Sequence, residues 1–172
     1  MSTTTAPQVK DMLEHKDCAK EAVEEMFTSI CQMSLTPHQL KPEDAADTAA
    51  IVAVVSLVGD IAWTLCQGLP ESTATAVAAK FAGFAIPFDS NDMGDAIGEL
   101  ANVFAGNAKA KLDTNRVAVE ISLPTIMRGK VVELLKARGL PAYRWDFTSP
   151  VGALWVEVIA GREVVPTRKS GE

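Results

Sequence analysis

Asp95, Glu99 and Asn102 are the residues whose types and spacing point most directly to chemistry. At about 100° per residue they fall with Gly106 on one line of a helix. Met93, Ile97, Leu100, Phe104 and Ala108 fall almost opposite, as an apolar stripe. Such a helix packs by its stripe and shows two carboxylates and an amide to whatever lies outside. Small residues crowd it: Gly94, Ala96, Gly98, Ala101, Ala105 and Gly106. Each glycine costs about 1 kcal/mol of helix stability relative to alanine. Glycine also lets a second backbone or a ligand come close. The segment therefore reads as a docking helix that presents Glu99 and Asn102 to a partner. Two plainer readings fit the same residues. Charges opposite an apolar stripe form the ordinary solvated face of a helix, and the glycines suit a tight contact inside the chain equally well.

The other reactive side chains suggest less. Cys18, Cys31 and Cys66 have no CxxC spacing and are odd in number, so they give neither a disulfide framework nor a zinc site. They read as small buried hydrophobes in a reducing, cytoplasmic setting. His15 and His38 lack the acid and nucleophile neighbours of a triad. Arg128-Gly129-Lys130 reads as a short solvated basic patch. The 172 residues carry 16 Lys+Arg against 22 Asp+Glu, a net charge of −6. That balance argues against nucleic acid or an anionic membrane as partner. Hydrophobic residues at 48% and charged residues at 22% describe a globular chain of single-domain size. A metal-poor enzyme and an acidic binding module both remain open.

The elements that must position the helix follow from periodicity. Residues 1–8 are polar and read as a loose N-terminus, residues 9–161 as one domain, and residues 162–172 as a charged tail. Val9 to Met33 shows a helical repeat that ends before Thr36-Pro37. Ala49 to Leu69 is long and apolar enough to raise the question of a membrane span, but Gly59-Asp60 interrupts it. Its halves are strand-sized, and the run reads as a hairpin with glycine at the first turn position. A second helix starts near Pro70-Glu71. The docking helix runs from about Asn91 to Leu112, with Asp89, Ser90, Asn91 and Asp92 as candidate caps. Val117 to Leu123 alternates as a strand, Pro124 and Gly129 punctuate a loop, and Val131 to Arg138 reads as a short helix. Tyr143 to Phe147 and Leu154 to Ala160 close the chain as strands. The expected fold is α+β, a mixed and largely antiparallel sheet with long helices packed on it.

The stretch Met93-Gly94-Asp95-Ala96-Ile97-Gly98-Glu99-Leu100-Ala101-Asn102-Val103-Phe104-Ala105-Gly106-Asn107-Ala108 resembles the active-site helix of the CheC/CheX/FliY family of chemotaxis phosphatases. The family pattern is Asp or Ser, three residues, Glu, two residues, Asn, then a glycine. Ile121-Ser122-Leu123-Pro124-Thr125 is similar to the strand and proline that follow. One such helix resembles CheX more than CheC, which carries two. Asp17, Glu21 and Glu24 share part of the spacing but lack the amide. The resemblance implies a CheX-like fold and a phosphatase acting on the aspartyl phosphate of a CheY-type receiver domain, with a non-catalytic receiver-domain or flagellar-switch binding module of the same fold as the alternative. Asn102 would orient the attacking water and Glu99 would pair with the receiver's lysine. Asp95, Gly98 and Gly106 would lie on the partner-binding face. It also implies no cofactor of the chain's own, Mg²⁺ supplied by the receiver, and a homodimer. Leu154 to Val158 reads as an edge able to pair across chains.

Overall fold

The long apolar run folds back on itself. A computed structural model describes residues 11–40, 49–130 and 132–161. In it β2 (Ala50–Gly59) pairs antiparallel with β3 (Ala62–Pro70), in a register running from Ala50↔Pro70 to Val58↔Ala62. The turn holds Gly59, Asp60 and Ile61, and the Gly59 N–H donates to the Ile61 carbonyl at 2.9 Å. The turn is thus one residue longer than expected, and Gly59 does not take a positive φ. Its role is close approach instead. A Cβ there would lie 2.2 Å from the carbonyl oxygen of Ala118. Asp60 completes this joint: its N–H donates to the Ala118 carbonyl at 2.9 Å, and its carboxylate accepts the Ala118 N–H at 2.8 Å.

The hairpin is the middle of a seven-stranded sheet. Beyond β3 lie β7 (Gly152–Ala160), then β6 (Ala142–Ser149), then the two-residue β1 (Thr36–Pro37). On its other side β2 takes two partners end to end, β4 (Val119–Ile121) and β5 (Thr125–Gly129), and every pairing is antiparallel. Alternation sorts the two faces. Ile51, Ala53, Val55 and Leu57 of β2 share the inner face with Trp63, Leu65, Leu69, Leu154, Val156 and Val158, all buried. Gln67 also lies on that face, and its amide has no hydrogen-bond partner among the described residues.

Three helices cover the inner face: α1 (Asp17–Ser29), α2 (Glu71–Ala82) and α3 (Asn91–Thr114). On the outer face Trp155 lies flat over Gly68, where a Cβ would sit 2.0 Å from the ring, and the Arg144 guanidinium stacks on Trp155 at 4.5 Å. Glu157, buried on that face, forms an ion pair with Lys136.

Several expectations change. The first helix is shorter: after a 3-10 turn at Asp11–Leu13, α1 ends at Ser29, and Gln32 with φ 55° turns the chain toward β1. Val9 and Lys10, the N-terminal residues 1–8 and the tail 162–172 lie outside the described residues. Residues 132–137 are not helical, and Val131 lies outside the description. A helix that short is marginal without packing, and this segment instead carries Lys136 to Glu157. The expected loop after Pro124 is β5, because the first half of β2 had an open edge to fill. Finally, β7 is interior, between β6 and β3, so Leu154 to Val158 has no free edge. Among the described residues no helix is long and apolar enough to cross a membrane.

Two predictions follow from these contacts. Gly59→Ala should lower unfolding stability by about 2 kcal/mol, read from urea midpoints, since the clash is with backbone. Cys18, Cys31 and Cys66 are buried and free, and burial raises all three thiols. Cys66 is pushed up to about 12 by burial and then by Glu157, with Lys136 opposing. Deprotonation of Cys66 is therefore suppressed at pH 8. Thiol titration of a Cys18→Ser variant at pH 8 should label Cys31 and Cys66 only as fast as the protein opens. Rapid labelling of the folded variant would contradict that.

Candidate functional site

The apolar stripe fixes which side of α3 meets solvent. Met93, Ile97, Leu100, Phe104 and Ala108 are buried against the other helices and the sheet. Asp95 and Glu99 are exposed, and Asn102 and Gly106 are half-buried. The structure thus brings Asp95, Glu99, Asn102 and Gly106 onto one open ridge. Gly98 sits one step around the helix and is buried. A Cβ on it would meet Pro124 at 3.8 Å and Ile126 at 3.9 Å, ordinary contact distances. Gly98 therefore faces the sheet edge rather than the ridge. Gly94 and Gly106 have nothing within 4 Å of a Cβ position. Gly98 alone of the three faces an internal neighbour, and there is room for a Cβ there, so no internal contact requires glycine at any of them.

Three devices hold the ridge in place. Ser90 is the cap among the four candidates, its hydroxyl oxygen accepting the Met93 N–H at 3.3 Å. Arg128 at the end of β5 donates to the carbonyls of Phe88 and Ser90, both at 2.7 Å. It ties the sheet edge to the start of α3, which corrects its reading as a solvated patch. Near the far end Lys111 pairs with Glu25 of α1 at 2.8 Å. Sequence reasoning missed Arg128 because its acceptors are backbone carbonyls, which leave no trace in residue type.

The β4–β5 corner runs alongside the ridge. Lys109 lies 3.4 Å from Glu120 on β4, and Pro124 meets Gly98. Between them, Ser122 keeps the corner attached to β2. Its N–H donates to the Ser56 carbonyl and its hydroxyl oxygen accepts the Ser56 N–H, both at 2.9 Å.

Other candidates stand apart. His15 and Cys18 line a polar cleft with Lys111 and Asn115 near the C-terminal end of α3, away from Asp95 and Glu99. His38 is exposed beside β1. Among the described residues no group of three or more His, Cys, Asp and Glu is placed to hold a metal ion.

Gly106 has open space where a side chain would go. Gly106→Ala should therefore raise stability by about 1 kcal/mol, measured by urea unfolding. A loss of stability would reveal an internal reason for the glycine.

Comparison with known proteins bears on this ridge. A family model described as chemotaxis phosphatase CheX matches residues 51–148, a span that holds the hairpin, α2, α3 and most of β6. A search of curated proteins found no match. Solved structures share the fold. A chemotaxis protein CheX from Desulfovibrio desulfuricans is 20% identical, with 86% of this chain and 99% of that chain covered and a TM-score of 0.71. Chemotaxis protein CheX from Vibrio vulnificus is 17% identical, with 87% and 98% covered and a TM-score of 0.75. A CheX–CheY–BeF3–Mg²⁺ complex from Borrelia burgdorferi matches at 18% identity, 87% and 98% coverage and a TM-score of 0.67. With more than half of its length matched by the family model, and with Glu99 and Asn102 side by side on the open face of α3, the chain belongs to the CheX family of chemotaxis phosphatases.

Proposed function

We propose that this protein hydrolyses the aspartyl phosphate of a CheY-type receiver domain, with Asn102 positioning the attacking water. The observation that carries the reading is the ridge itself. Glu99 and Asn102 are accessible, lie on adjacent turns, and belong to a helix whose opposite face is locked in the core. The Borrelia burgdorferi relative is seen with CheY, BeF3 and Mg²⁺, which supports a receiver as the partner class.

The side chains suit the chemistry. An amide carries an acceptor for a water proton and a donor for a phosphoryl oxygen, so one group can align both. Phosphoryl transfer depends mainly on such positioning and on charge stabilisation. Water attacks phosphorus as the bond from phosphorus to the receiver's aspartate oxygen breaks. The aspartate leaves as carboxylate, and both water protons end on inorganic phosphate. The Glu99 carboxylate pairs with the receiver's lysine and sets the register of docking. Asp95 and Gly106 extend the docking face, and Gly98 lies beneath it, facing Pro124. Mg²⁺ belongs to the receiver, where it neutralises phosphoryl charge. The reading includes a cytoplasmic homodimer, whose contact is not an edge pairing of β7, since that strand is paired on both sides.

The test is decay of phosphorylated CheY from the same genome, followed at increasing CheY concentration. Wild type should accelerate decay. Glu99→Ala should raise KM by about tenfold. Asn102→Ala should lower kcat by about a hundredfold or more while still binding BeF3-loaded CheY. Binding by wild type without faster decay would leave a non-catalytic receiver-binding module. Full activity in Asn102→Ala would remove its assigned role.

A further inference from the structure

We infer that Leu123 is an apolar anchor for the receiver domain, placed beside Asn102 by the β4–β5 corner; the inference rests on the receiver-docking reading above. Leu123 is 87% exposed, the most exposed large hydrophobic residue among those described. Exposure alone says little, since single apolar side chains at a surface are common. Its place and its mounting say more.

The corner is located by its contacts with α3. Glu120 reaches Lys109, and Pro124 packs on Gly98. The five residues from Glu120 to Pro124, the end of β4 and the corner after it, therefore run back along α3 from the level of Lys109 to that of Gly98. Asn102 lies between those levels, about 6 Å along the axis from Gly98. Leu123, one residue before Pro124, falls beside Asn102 on the flank of the ridge that Gly98 occupies. A body that docks on Glu99 and Asn102 must also meet this corner.

The mounting is rigid on both sides. Before Leu123, Ser122 exchanges two hydrogen bonds with Ser56 at 2.9 Å, with its hydroxyl oxygen acting as an acceptor in place of a backbone carbonyl. The same hydroxyl donates to the Leu123 carbonyl at 3.0 Å. After Leu123, Pro124 fixes its own φ and restricts the backbone of Leu123. A backbone held this way needs no ordering on binding, so the entropic cost of burying Leu123 is confined to its own rotamers. The occupant is the receiver domain that docks on Glu99 and Asn102, the partner class seen with the Borrelia burgdorferi relative. Together the ridge and the corner make a two-part surface, with polar groups for the chemistry and an aliphatic group for affinity.

Leu135 supplies the control, at 86% exposed on the segment that carries Lys136 to the outer face of the sheet. The experiment measures Kd for CheY loaded with BeF3 and Mg²⁺, and KM and kcat for phosphorylated CheY. Leu123→Ser should raise Kd and KM by roughly fivefold to tenfold with kcat nearly unchanged. Leu123→Met should restore wild-type values, and Leu135→Ser should leave them as they are. Wild-type Kd and KM in Leu123→Ser would overturn the anchor while the phosphatase reading stands. Equal weakening by Leu135→Ser would overturn it too, as a nonspecific effect. A wild type that binds without turnover removes the phosphatase reading, and the Kd comparison still decides Leu123. A wild type that neither binds nor accelerates decay removes both.

Discussion

The burial of one stripe of α3 decides the rest. Ile97, Leu100 and Phe104 are withdrawn from water together with Met93 and Ala108. Each large side chain so buried contributes about 1.5–3 kcal/mol. Helical geometry then leaves no choice about the opposite side: Asp95, Glu99 and Asn102 must face out. Among the described residues, none of the three side chains enters an ion pair or hydrogen bond that holds the fold. The side chains assigned to chemistry are therefore free of structural duty. The helix beneath them is fixed by Ser90 and Arg128 at its start and by Glu25 near its end.

The second constraint lies in the sheet edge. β2 is longer than either partner on that side, so β4 and β5 share it and the chain must turn between them. Ser122 bridges the gap with a hydroxyl, and Pro124, which has no N–H to offer the ladder, sits where none is needed. The corner lands on Gly98, where a Cβ would still find ordinary contact with Pro124 and Ile126. None of Gly94, Gly98 and Gly106 is therefore required by a close approach within the chain.

Much of this was legible in the sequence, for identifiable reasons. α3 was clear because its stripe repeats over several turns, and the hairpin because Gly59-Asp60 divides two β-rich runs. What failed was short or non-local. β1 is two residues held only by pairing with β6. β5 hid behind Pro124 and Gly129, since its existence follows from the open edge of β2. Val132 to Ala137 has too few residues for periodicity to separate helix from extended chain. Gly59 was read as a turn residue when Ala118, far along the chain, is what requires it. In the site, Asp95, Glu99, Asn102 and Gly106 came from spacing, while Arg128 and Leu123 gained meaning only from their neighbours in space.

The most direct measurement is a single-turnover decay of phosphorylated CheY with the phosphatase in saturating excess, because binding then drops out of the rate. Phosphorylated CheY bound to wild type should decay far faster than CheY-phosphate alone, and phosphorylated CheY bound to Asn102→Ala should decay at the spontaneous rate. Decay in the Asn102→Ala complex as fast as in the wild-type complex would contradict this.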